Sequence, residues 1–197
     1  MNIRSCILLS AFCFLGLPVA QAQVITACDW EVAHPSDPDH VGPGKGSGEV
    51  DTARAIAACE NAVSTHPDVA RFHYQLGRAL VYHADQNDGD DRVGMPHLVK
   101  AAEMGSEQAM FVVGLMHKRV GDTCAAEPWT RQAADAGLKS ARLTYVDDAL
   151  SGAWADCGVT VDPARLTDYL DGAASQVSGY YEGMLLGALR RGLPTEE

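Results

Sequence analysis

Residues 101–109 read AAEMGSEQA, and residues 133–141 read AADAGLKSA. The alanine pair, the glycine and the last alanine coincide, and an acid (Glu103, Asp135) follows the pair in both copies. A third, degenerate copy starts at Ala173-Ala174, where Ser178-Gly179 replaces Ser140-Ala141. Paired alanines let two helices approach closely. Gly105 and Gly137 stand where a helix ends and a left-handed residue is wanted. Each following helix starts about two residues later, so consecutive helices must pack antiparallel as αα-hairpins. One hairpin cannot bury its own apolar face, whereas stacked hairpins can.

Working outward, residues 51–65 (DTARAIAACENAVST) place Ala55, Ile56, Cys59, Ala62 and Val63 on one helical stripe. His66-Pro67-Asp68 ends that helix, and residues 69–84 (VARFHYQLGRALVYHA) give the next, with Phe72, Leu76, Leu80 and Ala84 inward. Leu76-Gly77 and Val113-Gly114 occupy equivalent places in two helices. No β pattern competes, since Val159-Thr160-Val161 is too short. The expected fold is all-α.

The N-terminus reads as an export signal. Arg4 precedes an apolar run over 7–20, Pro18 breaks it, and Ala20-Gln21-Ala22 supplies a small-residue cleavage site. Cleavage after Ala22 leaves a mature chain from Gln23. Ile25-Thr26-Ala27-Cys28 also fits a loose lipobox, but polar Gln21 and Gln23 separate it from the apolar run. No later segment is apolar enough for stable membrane insertion. The expected divisions are a signal over 1–22, an irregular Cys/Pro/Gly-rich arm over 23–50 and a helical domain over 51–194. In the arm, Pro35, Pro38 and Pro43 exclude a regular helix, and Trp30 and Val32 are expected to pack onto the core.

Four cysteines lie beyond the signal: Cys28, Cys59, Cys124 and Cys157. An even number in an exported chain reads as two disulfides. Three pairings are open, and proximity favours Cys28–Cys59 and Cys124–Cys157. Zinc or redox sites would want a C-x-x-C pair, which is absent. A periplasmic or secreted location follows.

Composition narrows function without supplying it. The 197 residues carry a formal net charge of -11. Such acidity disfavours nucleic acid and anionic lipid as partners. None of G-x-S-x-G, H-E-x-x-H, G-x-x-x-x-G-K-[ST] or S-x-x-K occurs. The seven histidines form no i, i+4 pair, and residues 85–91 (DQNDGDD) lack EF-hand spacing. No catalytic residue, metal ligand or cofactor is nominated. Trp30, Trp129, Trp154 and Tyr180-Tyr181 read chiefly as core. Tyr74, Arg78 and Tyr82 share one helical face by i, i+4 spacing and are the candidate binding residues.

These residues resemble the Sel1-like repeat proteins, a subgroup of the tetratricopeptide-like helical solenoids. Val113-Gly114 (FVVGLMHKRVGD) matches the first part of that pattern, and 132–141 (QAADAGLKSA) and 100–109 (KAAEMGSEQA) match the last. Residues 67–80 (PDVARFHYQLGRAL) are closer to an ordinary tetratricopeptide first helix. Residues 28–44 resemble a Cys-Asp…Pro-x-Asp-Pro-x-x-Val segment that precedes such repeats in some exported bacterial proteins. The resemblance spans most of the mature chain and departs where the last repeat lengthens around Cys157. It implies an α-solenoid, a right-handed superhelix of stacked hairpins whose groove holds a protein or peptide partner, with acidic rim charges favouring a basic one. The alternative it implies is a β-lactam-binding or β-lactam-hydrolysing envelope enzyme of the cysteine-rich Sel1 type; the missing S-x-x-K counts against that.

Overall fold

The computed structural model describes residues 24–194. The signal and its cleavage site after Ala22 therefore lie outside the described residues. Within them the chain is all-α, with nine helices and no strand. In order these are α1 (Ala27–Val32), α2 (Thr52–Thr65), α3 (Ala70–Gln86), α4 (Met95–Glu103), α5 (Glu107–Arg119), α6 (Thr123–Ala136), α7 (Lys139–Leu150), α8 (Pro163–Ala174) and α9 (Tyr180–Gly192). Three short 3-10 turns, Ser47–Glu49, Asp91–Gly94 and Ala155–Cys157, complete the set. From α2 onward each helix packs on its neighbours in sequence.

The repeated residues have specific backbone duties. At the end of α6, Gly137 (φ 117°) donates to Ala134 O, and Leu138 N–H reaches back to Ala133 O at 3.1 Å. At the end of α4, Gly105 donates to Ala102 O and Ser106 N–H to Ala101 O, both at 3.0 Å. These are the paired bonds of a Schellman stop. The same stop closes α5 at Gly121 and α7 at Gly152, two positions that the alanine motif does not mark. Helix starts are capped by acids or serine: Asp51, Ser106, Asp122 and Asp162 each accept a backbone N–H from the first turn.

Two close approaches set the helix spacing. A Cβ on Gly77 would stand 2.7 Å from Leu98 Cγ, and one on Gly114 would stand 2.6 Å from Thr130 Oγ1. Gly77 thus seats α4 on α3, and Gly114 seats α6 on α5. Three apolar clusters follow one another along the chain. Cys28, Val32, Phe72 and Leu76 build the first, Tyr74, Leu98 and Val113 the second. Val146, Trp154, Leu166 and Leu170 build the third.

Both disulfides pair by proximity. Cys28–Cys59 joins α1 to α2 with 4.6 Å between Cα atoms; Cys124–Cys157 joins the first turn of α6 to the last 3-10 turn with 5.2 Å. They close loops of 31 and 33 residues, worth about 3–4 kcal/mol each in the chain-entropy model. Two such bonds fit an oxidising compartment outside the cytosol. No helix among the described residues is long and apolar enough to cross a membrane.

The arm departs from its expected irregular form in two respects: residues 27–32 make a helix before the prolines begin, and Ser47–Glu49 make a 3-10 turn after them. Val32 is fully buried as expected, but Trp30 is 56% exposed, a correction that follows from its facing away from Cys28 and Val32 on so short a helix. Trp154 is buried against Tyr145, and Trp129 is half-buried beside the second cluster. Tyr180 and Tyr181 are 74% and 79% exposed, so the core reading fails for them; they open the last helix, which has no successor among the described residues to cover it.

Candidate binding cleft

One face of α3 is polar yet buried. Arg71, Gln75 and Arg78 recur at i, i+4 and i+7, and each is under 7% exposed. The arm is the reason. Asp29, fully buried, accepts from Arg71 Nε at 2.7 Å and Gln75 Nε2 at 3.1 Å through Oδ1. Its Oδ2 accepts from Thr26 N–H at 2.9 Å. Arg78 donates to Val32 O at 2.5 Å, Lys45 O at 2.6 Å and the Tyr82 hydroxyl at 3.2 Å. It therefore holds both ends of the arm's proline-rich bend, and its guanidinium also stacks 4.9 Å from the Tyr82 ring. None of its hydrogen-bond partners is a carboxylate.

Beyond this clamp a cleft of about 380 Å³ opens between the arm, α3 and α5. Tyr74, Arg78, Val81 and Tyr82 come from α3, and Gln108, Phe111, Leu115 and Met116 from α5. The arm contributes His34 and Ser36, and α7 contributes Ser140. All three nominated residues, Tyr74, Arg78 and Tyr82, thus line one cleft. Tyr74 is 1% exposed and Arg78 4%, so the expected outward stripe is reduced to the half-buried Tyr82. The residues that sequence reasoning missed are on α5. Phe111 and Leu115 are an i, i+4 pair that reads equally well as core, and only the placement of the arm distinguishes the two.

Electrostatics in the cleft is mixed rather than acidic. Its charged lining is Arg78, Arg119 and Asp85, and Asp85 is tied to Arg119 at 2.6 Å. Arg119 also reaches Asp91 at 3.0 Å, so the acidic 85–91 segment is partly neutralised from α5. The net acidity expected to favour a basic partner is not concentrated in these walls. Burial, followed by the charge of Arg78 and then His40, lowers the His34 pKa to about 4, so His34 is neutral at physiological pH. Burial also pushes Asp37, in the arm, up to about 6, although Asp39 N–H donates to it at 3.0 Å. Its Oδ2 and the buried Gln108 Oε1 in the cleft have no hydrogen-bond partner among the described residues. Each carries the cost of an unpaired buried acceptor.

Ser36 and His34 are adjacent in the cleft, but the bond between them runs from Ser36 backbone N–H to His34 Nδ1 at 3.1 Å. No serine hydroxyl in the cleft hydrogen-bonds a histidine or lysine among the described residues. No group of three or more His, Cys, Asp or Glu there is placed to hold a metal ion. Comparison with family models, curated proteins and solved structures gives no match.

Proposed function

We propose that this chain is an exported helical-repeat scaffold of the Sel1 and tetratricopeptide-like kind, and that its cleft holds a peptide segment of a protein partner. One observation carries the reading. Two consecutive first helices of the repeat, α3 and α5, present an apolar wall that the packed core leaves open, with Leu115 39% exposed inside it. Fixed polar groups, Arg78 and the Asp85–Arg119 pair, stand around this wall. A cavity of this size takes one or two side chains of a longer segment. Neighbour-on-neighbour helix packing and the two disulfides support a rigid scaffold in an oxidising compartment.

The test is a selection of displayed peptides against the oxidised chain, followed by binding to Leu115→Glu. Leu115 is 39% exposed and belongs to none of the three buried clusters, so the variant should melt as the parent does. Selected peptides should share an apolar anchor and lose about tenfold or more in affinity for L115E, in line with removal of a contact worth about 1.4 kcal/mol or more. Undiminished binding to L115E would remove the cleft from the account.

A further inference from the structure

A pair of histidines on the far side of α3 from the arm's clamp has no role in the cleft. His73, in the first turn of α3, and His97, in the first turn of α4, approach with Nδ1 to Nδ1 at 3.3 Å. Their rings lie 5.6 Å apart at 24°. His73 Nε2 is 3.0 Å from the carbonyl oxygen of Pro67, so Nε2 carries the proton and donates it there. His73 Nδ1 is therefore the acceptor of the pair and His97 Nδ1–H the donor, so a metal bound between them would require the His97 proton to move to Nε2.

We propose that His73 and His97 chelate a divalent transition-metal ion of the imidazole-preferring class, such as Zn²⁺, through their Nδ1 atoms. Two observations meet there. Two nitrogens bound about 2.0–2.1 Å from a tetrahedral metal stand about 3.3–3.4 Å apart, which is the separation already present. A backbone carbonyl holding the other ring nitrogen is the usual outer partner of a metal-bound imidazole; it fixes tautomer and ring orientation before any metal arrives. No third His, Cys, Asp or Glu among the described residues is placed to join them, so the protein supplies two ligands and water completes the shell. The site would fasten α3 to α4, and it stands apart from the cleft and from the disulfides.

The test is a Zn²⁺ titration of the full oxidised chain by calorimetry, with Cu²⁺ and electron paramagnetic resonance as the second probe. One equivalent of Zn²⁺ should bind, and the Cu²⁺ spectrum should show two nitrogen ligands. His97→Gln, at a half-exposed position, should keep the metal-free melting temperature and weaken Zn²⁺ binding about tenfold or more. His73→Gln should weaken binding likewise while lowering the melting temperature, because His73 is buried and donates to Pro67 O, and His117→Gln should bind as the parent. Either of two results overturns the proposal: no saturable binding to the parent, or parental affinity in H97Q. In that event the two imidazoles are a packing contact and nothing more.

Discussion

At the scale of single residues, the arm is held by ionisable groups that water would otherwise claim. Asp29 and Arg71 are each more than nine-tenths buried, and either alone would be an unpaired buried charge costing several kcal/mol. Asp37 is less well served, because one of its oxygens has no partner. Its folded pKa of about 6 lies above the ordinary aspartate value of 3.8. Folding therefore favours the protonated form, and the stability this contributes is complete below about 3.8 and lost as pH rises through about 6. Asp37→Asn keeps the acceptor for Asp39 N–H and removes the titration. In urea unfolding series from pH 4 to pH 7, the parent should lose stability relative to D37N as pH rises. A constant difference between the two across that range would show that Asp37 titrates normally. These arm contacts were poorly legible beforehand, because Asp29 and Arg71 are 42 residues apart and Arg78 and Val32 46. The available hint was three polar residues on one face of a helix whose other side is Phe72, Leu76 and Ala79. Spacing instead marks Tyr74, Arg78 and Tyr82 as a binding stripe, yet Arg78 is spent on holding the arm and Tyr74 is buried in the second cluster.

Elements were more legible, since they are written locally. The i, i+3, i+4 stripes located α2 and α3 to within a residue or two, and Gly105 and Gly137 stop helices as their motif implied. Gly121 and Gly152 make the same stop without the paired alanines, because the backbone bonds need only the left-handed glycine. Gly77 and Gly114 belong to a different class, fixed by what lies across from them. Replacing a mid-helix glycine by alanine ordinarily stabilises by about 0.5–1 kcal/mol. At Gly114 the new Cβ meets Thr130 Oγ1 at 2.6 Å and backbone atoms of α6 at 3.3 Å, so α5 and α6 must separate. Gly114→Ala should therefore destabilise by about 1–2 kcal/mol, the overpacking cost exceeding the propensity gain. Gly183→Ala on α9, where a Cβ meets nothing within 4 Å, should stabilise. Paired denaturant titrations check both signs, and a stabilising G114A would contradict the spacing role.

For the whole molecule, the described chain is a series of helices each resting on the last, closed at one end by the disulfide-tethered arm. The other end carries Tyr180, Tyr181, Met184 and Leu185 in the open. The all-helical class could be read from residue spacing, and proximity favoured the two disulfide pairings found without choosing them; the cleft could not be read, because it exists only where the arm, α3, α5 and α7 meet. The same meeting changes how the binding proposal is best tested. Removing Arg78 would release Val32 O and Lys45 O and loosen the arm, confounding any effect on binding. A photoreactive side chain at position 115 avoids this. The most direct measurement places p-benzoylphenylalanine at 115, inside the cleft, or at 103, on the exposed surface of α4, and irradiates producing cells. The account predicts a discrete protein adduct from position 115 that is absent from position 103. No adduct at 115, or the same adducts from both positions, would contradict it.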